Sequence, residues 1–244
     1  MKTPDMQSKT SMPYKSRPVV DLLISIALPS FILMKLSGDE NLGASTALIC
    51  ALALPLGWGL FEFFKYRKFN FIALLGMVSV LLTGGIGLLQ LDVQWLAVKE
   101  AAIPALIGIA VLVSTFTRYP LIRTLLYNPS IMAVDKIQQK LDEQGIRSKF
   151  ESRLLTATYW LSGTFFFSAL MNYILAKWIV ISPAGSSAFN EELGRLTLLS
   201  YPMIAIPSML MMMAIFYYLW RSIRSMTGLS LEQVLVAQSS EEPK

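Results

Sequence analysis

Lys99 and Glu100 stand side by side in LLTGGIGLLQLDVQWLAVKEAAIP, a stretch otherwise built largely of apolar and small residues. An ionisable side chain carried into hydrocarbon must find a partner, reach water or give up its charge, so such a residue is a candidate for handling protons or ions. Adjacent helical positions point about 100° apart, so the two charges cannot pair along one helix. Each then needs its own partner: Asp92 or the acids of the neighbouring loops for Lys99, and Lys177 or Arg195 for Glu100. Trp95 marks a membrane surface. Lys99 follows about one turn, roughly 6 Å, deeper, shallow enough for its stem to reach back outward. Pro104 cannot donate to the Glu100 carbonyl and leaves one more unpaired acceptor at this level. Two further polar candidates are Asn172, an amide placed for an interhelical hydrogen bond, and Asp21, a carboxylate at a helix start favoured by the macrodipole.

Other chemistry is excluded by what the chain lacks. It has no histidine and one cysteine, which removes the commonest general base and metal ligand and any intrachain disulfide. Cys50, inside an apolar run, reads as a small buried residue. There is no GxxxxGK[ST] loop, no H-E-x-x-H and no GxSxG elbow. No pair of aspartates sits at matching depth. The methionines of Leu210–Ala214 read as lipid-facing or filling, since thioethers alone suit only soft metals. The expectation is a protein without catalytic residues, metal or cofactor.

The elements that must position Lys99 and Glu100 follow from composition. Of 244 residues, 54% are hydrophobic and 15% charged, and soluble domains carry about 25% charged residues. The apolar residues gather into runs of about 20, the length that crosses roughly 30 Å of hydrocarbon as a helix. The reading is an all-α membrane protein: a bundle of six transmembrane helices over about 19–36, 42–62, 70–91, 94–117, 154–180 and 196–220. A polar basic tail, 1–18, precedes an uncleaved first helix. Residues 222–244 form a second tail.

Counting Arg221 at the end of the sixth span, seventeen of the 21 basic residues fall in the two tails and the second and fourth loops, which places both termini in the cytoplasm. The charge of +5 then reflects topology and attraction to the lipid bilayer rather than nucleic acid. The loop 118–153 is the only sizeable extramembrane piece. Leu121, Ile122 and Leu125 suit a short helix in the headgroup layer. Ile131, Val134, Ile137 and Leu141 recur at helical spacing among charges, an amphipathic segment between helices 4 and 5. It caps the bundle or offers a partner-docking surface.

Within the opening stretch, Thr83, Gly84, Gly85 and Gly87 give the third helix a bare face for close packing, expected against the fourth helix. Pro29, Pro55, Pro104, Pro202 and Pro207 lie inside spans and predict kinks.

The order of D-x-L at Asp21, LPSF, GASTALICALAL, the basic KYRKFN turn, LLTGGIGLL, Trp95 with Lys99, and RYPLIRTLL resembles the intracellular septation protein A family of bacterial inner-membrane proteins. More loosely, TATYWLSGTFFFSALMNYILAKW and FNEELGRLTLLSYP are similar to its later helices. The resemblance spans roughly residues 20 to 220, by pattern more than identity. The chain departs from it in a longer basic N-terminus, Glu100 and a longer fourth loop. The resemblance implies a multi-pass protein of the bacterial inner membrane with a non-enzymatic part in cell-envelope synthesis and septation, through contact with other envelope or division proteins. The alternative is a small transporter or channel with its site near Lys99 and Glu100. Such a protein is usually built of repeats, and the two three-helix halves show no self-similarity. An oligomer is compatible with either.

Overall fold

Helix is the regular element throughout the computed structural model, which describes residues 23–66, 71–117, 120–129 and 131–235, with backbone only at 62–66 and 71–74. Asp21 and residues 1–18 lie outside the described residues. A π-helical turn, Leu23–Ala27, leads into α1 (Leu28–Lys35). There follow α2 (Ala44–Tyr66), α3 (Phe71–Leu88), α4 (Gln94–Ser114), α5 (Leu121–Leu125), α6 (Val134–Glu143) and α7 (Arg147–Ile179). The chain continues through α8 (Ser187–Ser200), a second π turn (Tyr201–Ala205), α9 (Ile206–Thr227) and α10 (Leu231–Val234).

Four helical stretches are long and apolar enough to cross a membrane: Ala44–Phe61, Gln94–Ser114, Arg147–Ile179 and Ser187–Thr227. Leu23–Lys35 and Leu75–Leu88 are shorter apolar helices among the described residues. Large hydrophobic side chains stand open on these helices, among them Leu106 at 65%, Met209 at 65% and Trp178 at 75% exposure. Lipid covers such bare apolar side chains without cost, since its tails are as apolar as they are.

Three boundaries differ from the sequence reading. Helix α7 starts at Arg147, not 154, because the charged turn before the apolar run is amphipathic and seats Phe150 and Leu154 in a core. The last long helix begins at Ser187 rather than 196: FNEELGR is helical, with Phe189, Leu193 and Gly194 buried and an Arg195–Glu191 pair at 2.6 Å on its outer side. It runs on to Thr227 and stops at Gly228, whose left-handed φ of 71° lets its N–H reach the Arg224 carbonyl at 2.9 Å. In each case a charge marks where the apolar run ends, not where the helix ends.

Two of the proline sites become π turns rather than simple kinks. Pro202 and Pro207 cannot donate backbone hydrogen bonds. Between them the helix widens over Tyr201–Ala205, and Ile206 donates five residues back to the Tyr201 carbonyl. Pro29 similarly follows the π turn Leu23–Ala27.

The chain divides into two compact units, with boundaries at Lys99/Glu100, Ile174/Leu175 and Leu199/Ser200. In the first, α1 and α3 both pack on α2. Ala47, Leu48 and Ala51 of α2 are buried, as are Ile86, Leu96, Phe189 and Leu193 elsewhere in the unit. Gly194 is what allows α8 to lie against α1: a Cβ there would come 2.7 Å from Met34 Cγ and 2.9 Å from the Ser30 carbonyl oxygen.

The second unit joins membrane helices and cap around one core. Val111, Leu154, Leu161, Ile215 and Leu219 continue without a break into Ile122, Leu126, Met132, Ile137, Leu141, Phe150 and Val234. Ser162 donates to the Gly108 carbonyl at 2.9 Å, and the missing side chain of Gly108 admits Phe165 and Phe166. The start of the expected C-terminal tail is part of this fold. Helix α10, opened by a Ser230/Gln233 capping box, buries Val234, and Ala133 N–H donates to the Val234 carbonyl at 2.8 Å.

Candidate functional site

Lys99 and the glycine stretch meet at the turn between α3 and α4. Gln90 takes a left-handed φ of 51°, and Leu91 N–H closes on the Ile86 carbonyl at 2.9 Å. Asp92 then opens α4: its carboxylate accepts the Gln94 N–H at 2.8 Å. Across this hairpin Lys99 Nζ donates to Thr83 Oγ1 at 2.7 Å, and Thr83 Oγ1 donates back along its own helix to the Ser79 carbonyl at 3.1 Å. Two glycines of this stretch come close to a neighbour other than the expected fourth helix. A Cβ on Gly84 would meet Leu52 Cδ1 at 2.8 Å, and one on Gly87 would run into Leu48 and stand 3.2 Å from Phe189. The glycine face thus serves α2 and α8, not α4. Gly85 has nothing within 4 Å of such a Cβ: it shares the spacing but not the contact.

Of the partners expected for this level, Arg195 is taken by Glu191 at 2.6 Å, and Asp92 accepts from Gln94. Glu100 lies half-buried on α4, across the unit boundary from Lys99.

A second polar knot lies in the first unit, and sequence reasoning missed it. Asn190, with no exposed surface, donates to Ser37 Oγ at 3.1 Å and to the Ala44 carbonyl at 2.7 Å. Ser187 donates to the Ser37 carbonyl at 2.7 Å. Glu192 accepts three bonds, from the N–H groups of Ile181 and Ser182 at 2.9 Å each and from Ser182 Oγ at 2.7 Å. The available signal was polar density in ISPAGSSAFNEELGR, which reads equally well as a solvated loop.

In the second unit Asn172 makes no hydrogen bond across helices among the described residues. Its amide donates four residues back, to the Ser168 carbonyl at 2.8 Å and to Ser168 Oγ at 3.3 Å. Mid-way along the apolar runs, Thr164, Phe165, Ser168, Ser208, Met209 and Met212 line a half-open hollow of about 260 Å³. Ser208 Oγ is buried there without a hydrogen-bond partner among the described residues. Cys50, expected inside, is exposed on the apolar face of α2: within an apolar run, hydrophobicity does not separate core from lipid.

The amphipathic segment is largely used by the protein itself. Ile137 and Leu141 are 0% and 1% exposed in the core of the second unit, with Ile131 and Val134 packed at its edge. Of the two roles expected for these four, their burial matches the cap: the apolar stripe is covered within the chain. On the polar side of the cap Arg123 pairs with Glu151. Tyr127, 4% exposed and packed on Phe150, has its pKa pushed up to about 12 by burial, with the nearby Arg123 opposing. It stays a neutral phenol under physiological conditions, unsuited to act as a base.

Among the described residues no group of three or more Cys, Asp or Glu is placed to hold a metal ion. Neither a family model, nor a curated protein, nor a solved structure matches the chain.

Proposed function

We propose that the chain is a non-enzymatic protein of the bacterial inner membrane with six spans and both termini cytoplasmic, and that it holds a protein partner in cell-envelope biogenesis or septation. What supports this reading is the cap: residues 120–129, 131–153 and 228–235 are folded onto the apolar helices of the second unit by a shared core, so their outer face is a platform. That face is polar, with Asp135, Lys136, Gln139 and Asp142 exposed along α6. Partner contact is assigned to it rather than to the buried apolar stripe. Crosslinking capture from native membranes should lose its principal adduct in the charge-reversed Asp135→Lys/Lys136→Glu variant while the bundle stays folded. Recovery equal to wild type overturns the assignment.

A second reading, a small transporter, is favoured by the hollow at Ser208. Its polar wall lies near the middle of two apolar runs, where transport sites usually lie, whereas Lys99 is tied to Thr83 near the turn. Flux in proteoliposomes should then fall with Ser208→Ala or Ser168→Ala more than with Lys99→Ala or Glu100→Ala. Equal flux in all four variants removes this reading.

A further inference from the structure

Where α7 and α9 leave their apolar runs, the second unit gathers arginines and aromatic rings. Arg153 directly precedes the uncharged run Leu154–Ala176, and Arg221 directly follows Leu196–Trp220. Both therefore sit where hydrocarbon gives way to headgroups, the depth at which Trp and Tyr collect. Trp160 of α7 stacks on Tyr218 of α9, with centroids 5.8 Å apart and planes 16° from parallel. Arg153 Nη1 reaches Tyr218 Oη at 3.5 Å, Arg221 Nη1 reaches Tyr217 Oη at 3.5 Å, and Arg224 Cζ lies 5.6 Å from the centre of the Trp220 ring. Tyr217 and Trp220 are themselves in contact, at 5.5 Å.

Each guanidinium brings five N–H donors, and contacts at 3.5 Å orient it without using its donors well. Three carboxylates of the adjoining cap are engaged elsewhere: Glu151 by Arg123, Glu143 by Lys140 and Asp142 by Arg147. None of the described carboxylates forms an ion pair with Arg153, Arg221 or Arg224. Trp220 Nε1 adds a buried donor without an acceptor among the described residues. Three positive groups thus stand at headgroup depth, one over a tryptophan ring and two against tyrosine hydroxyls, with most of their donors unspent, and the ligand chemistry that matches them is phosphate carried by a lipid.

We propose that Arg153, Arg221 and Arg224, with Trp160, Tyr217, Tyr218 and Trp220, form a binding site for the headgroup of an anionic phospholipid. Arginine suits phosphate through its paired donors, and the tyrosine hydroxyls and the Trp220 ring orient the three guanidinium groups. The proposal rests on the membrane placement of α7 and α9 and is independent of any protein partner. Partner capture can therefore fail while lipid binding stands, and the reverse.

The test is native mass spectrometry of the delipidated full chain in detergent, titrated with phosphatidylglycerol or phosphatidylcholine of identical acyl chains. Phosphatidylglycerol should bind at least about fivefold tighter, each basic residue near a membrane surface adding measurably to attraction. Arg153→Gln/Arg221→Gln/Arg224→Gln should bring the two lipids level, while Arg195→Gln keeps the preference. The single variant Arg221→Gln, at an exposed position, should reduce the preference partially and covers the case in which the triple variant fails to fold. Equal binding of both lipids by wild type, or an undiminished preference in the folded variants, overturns the proposal. Displacement of phosphatidylglycerol by millimolar inorganic phosphate overturns the lipid assignment in favour of a free-anion site.

Discussion

Single positions in the glycine stretch separate contact from mere composition. A side chain on Gly87 would have to displace Leu48 and crowd Phe189, whereas Gly85 opens onto free space. Forcing extra volume into a packed interface costs about 1–3 kcal/mol. Gly87→Leu should therefore lower the unfolding midpoint in detergent by that equivalent, and Gly85→Leu should stay near wild type; equal effects would mean that the α2–α3 contact is not formed as described. That the stretch packs closely was legible, because only bare backbone permits it. Which helix it packs against was not, since glycine carries no information about its neighbour. Asn172 teaches the complementary point. An amide in an apolar run must be satisfied, but Ser168 four residues earlier already does so, and that spacing was there to be read.

At the scale of elements, charge was mistaken for a helix boundary at α7 and α8. Glutamate and arginine are good helix formers, so a helix passes through a charged segment whenever one of its faces finds a core. The same oversight hid Glu192, whose carboxylate pins the link between α7 and α8 through two backbone N–H groups and one hydroxyl. Hydrogen bonds to a charged group contribute about 1.5–3 kcal/mol each when intact. These are partly exposed, so we expect Glu192→Ala to cost about 2 kcal/mol in total, with Glu192→Gln, which keeps one acceptor oxygen, costing less. Limited proteolysis should locate the effect: new cleavage at 180–186 in the alanine variant, and little in the glutamine variant. Unchanged resistance in Glu192→Ala would show that the link holds without this carboxylate.

For the whole molecule, the apolar runs announced helices because a hydrocarbon slab sets a length that a sequence must satisfy. How the helices divide into two units was not legible, since it depends on which distant residues share a core. The cap is the clearest case. Ile131, Val134, Ile137 and Leu141 show an amphipathic stripe, but the stripe alone does not say whether its cover is a partner or the same chain. The cover proves to be Ile122, Leu126, Phe150, Leu219, Ile223 and Val234, drawn from both sides of the sequence. Burying an unpaired carboxylate among them would be strongly unfavourable. Ile137→Asp should therefore release the cap as a unit: amide hydrogen exchange should rise together across 121–143 and 228–235, segments far apart in the chain and joined by this core and by the Ala133–Val234 backbone bond beside it. Gln139→Asp, two residues away on the exposed face, should leave that exchange unchanged. A rise confined to α6 would show instead that α6 opens alone and that the platform proposed for partner contact is not one cooperative body, because a shared core must lose protection at both of its ends when its centre is charged.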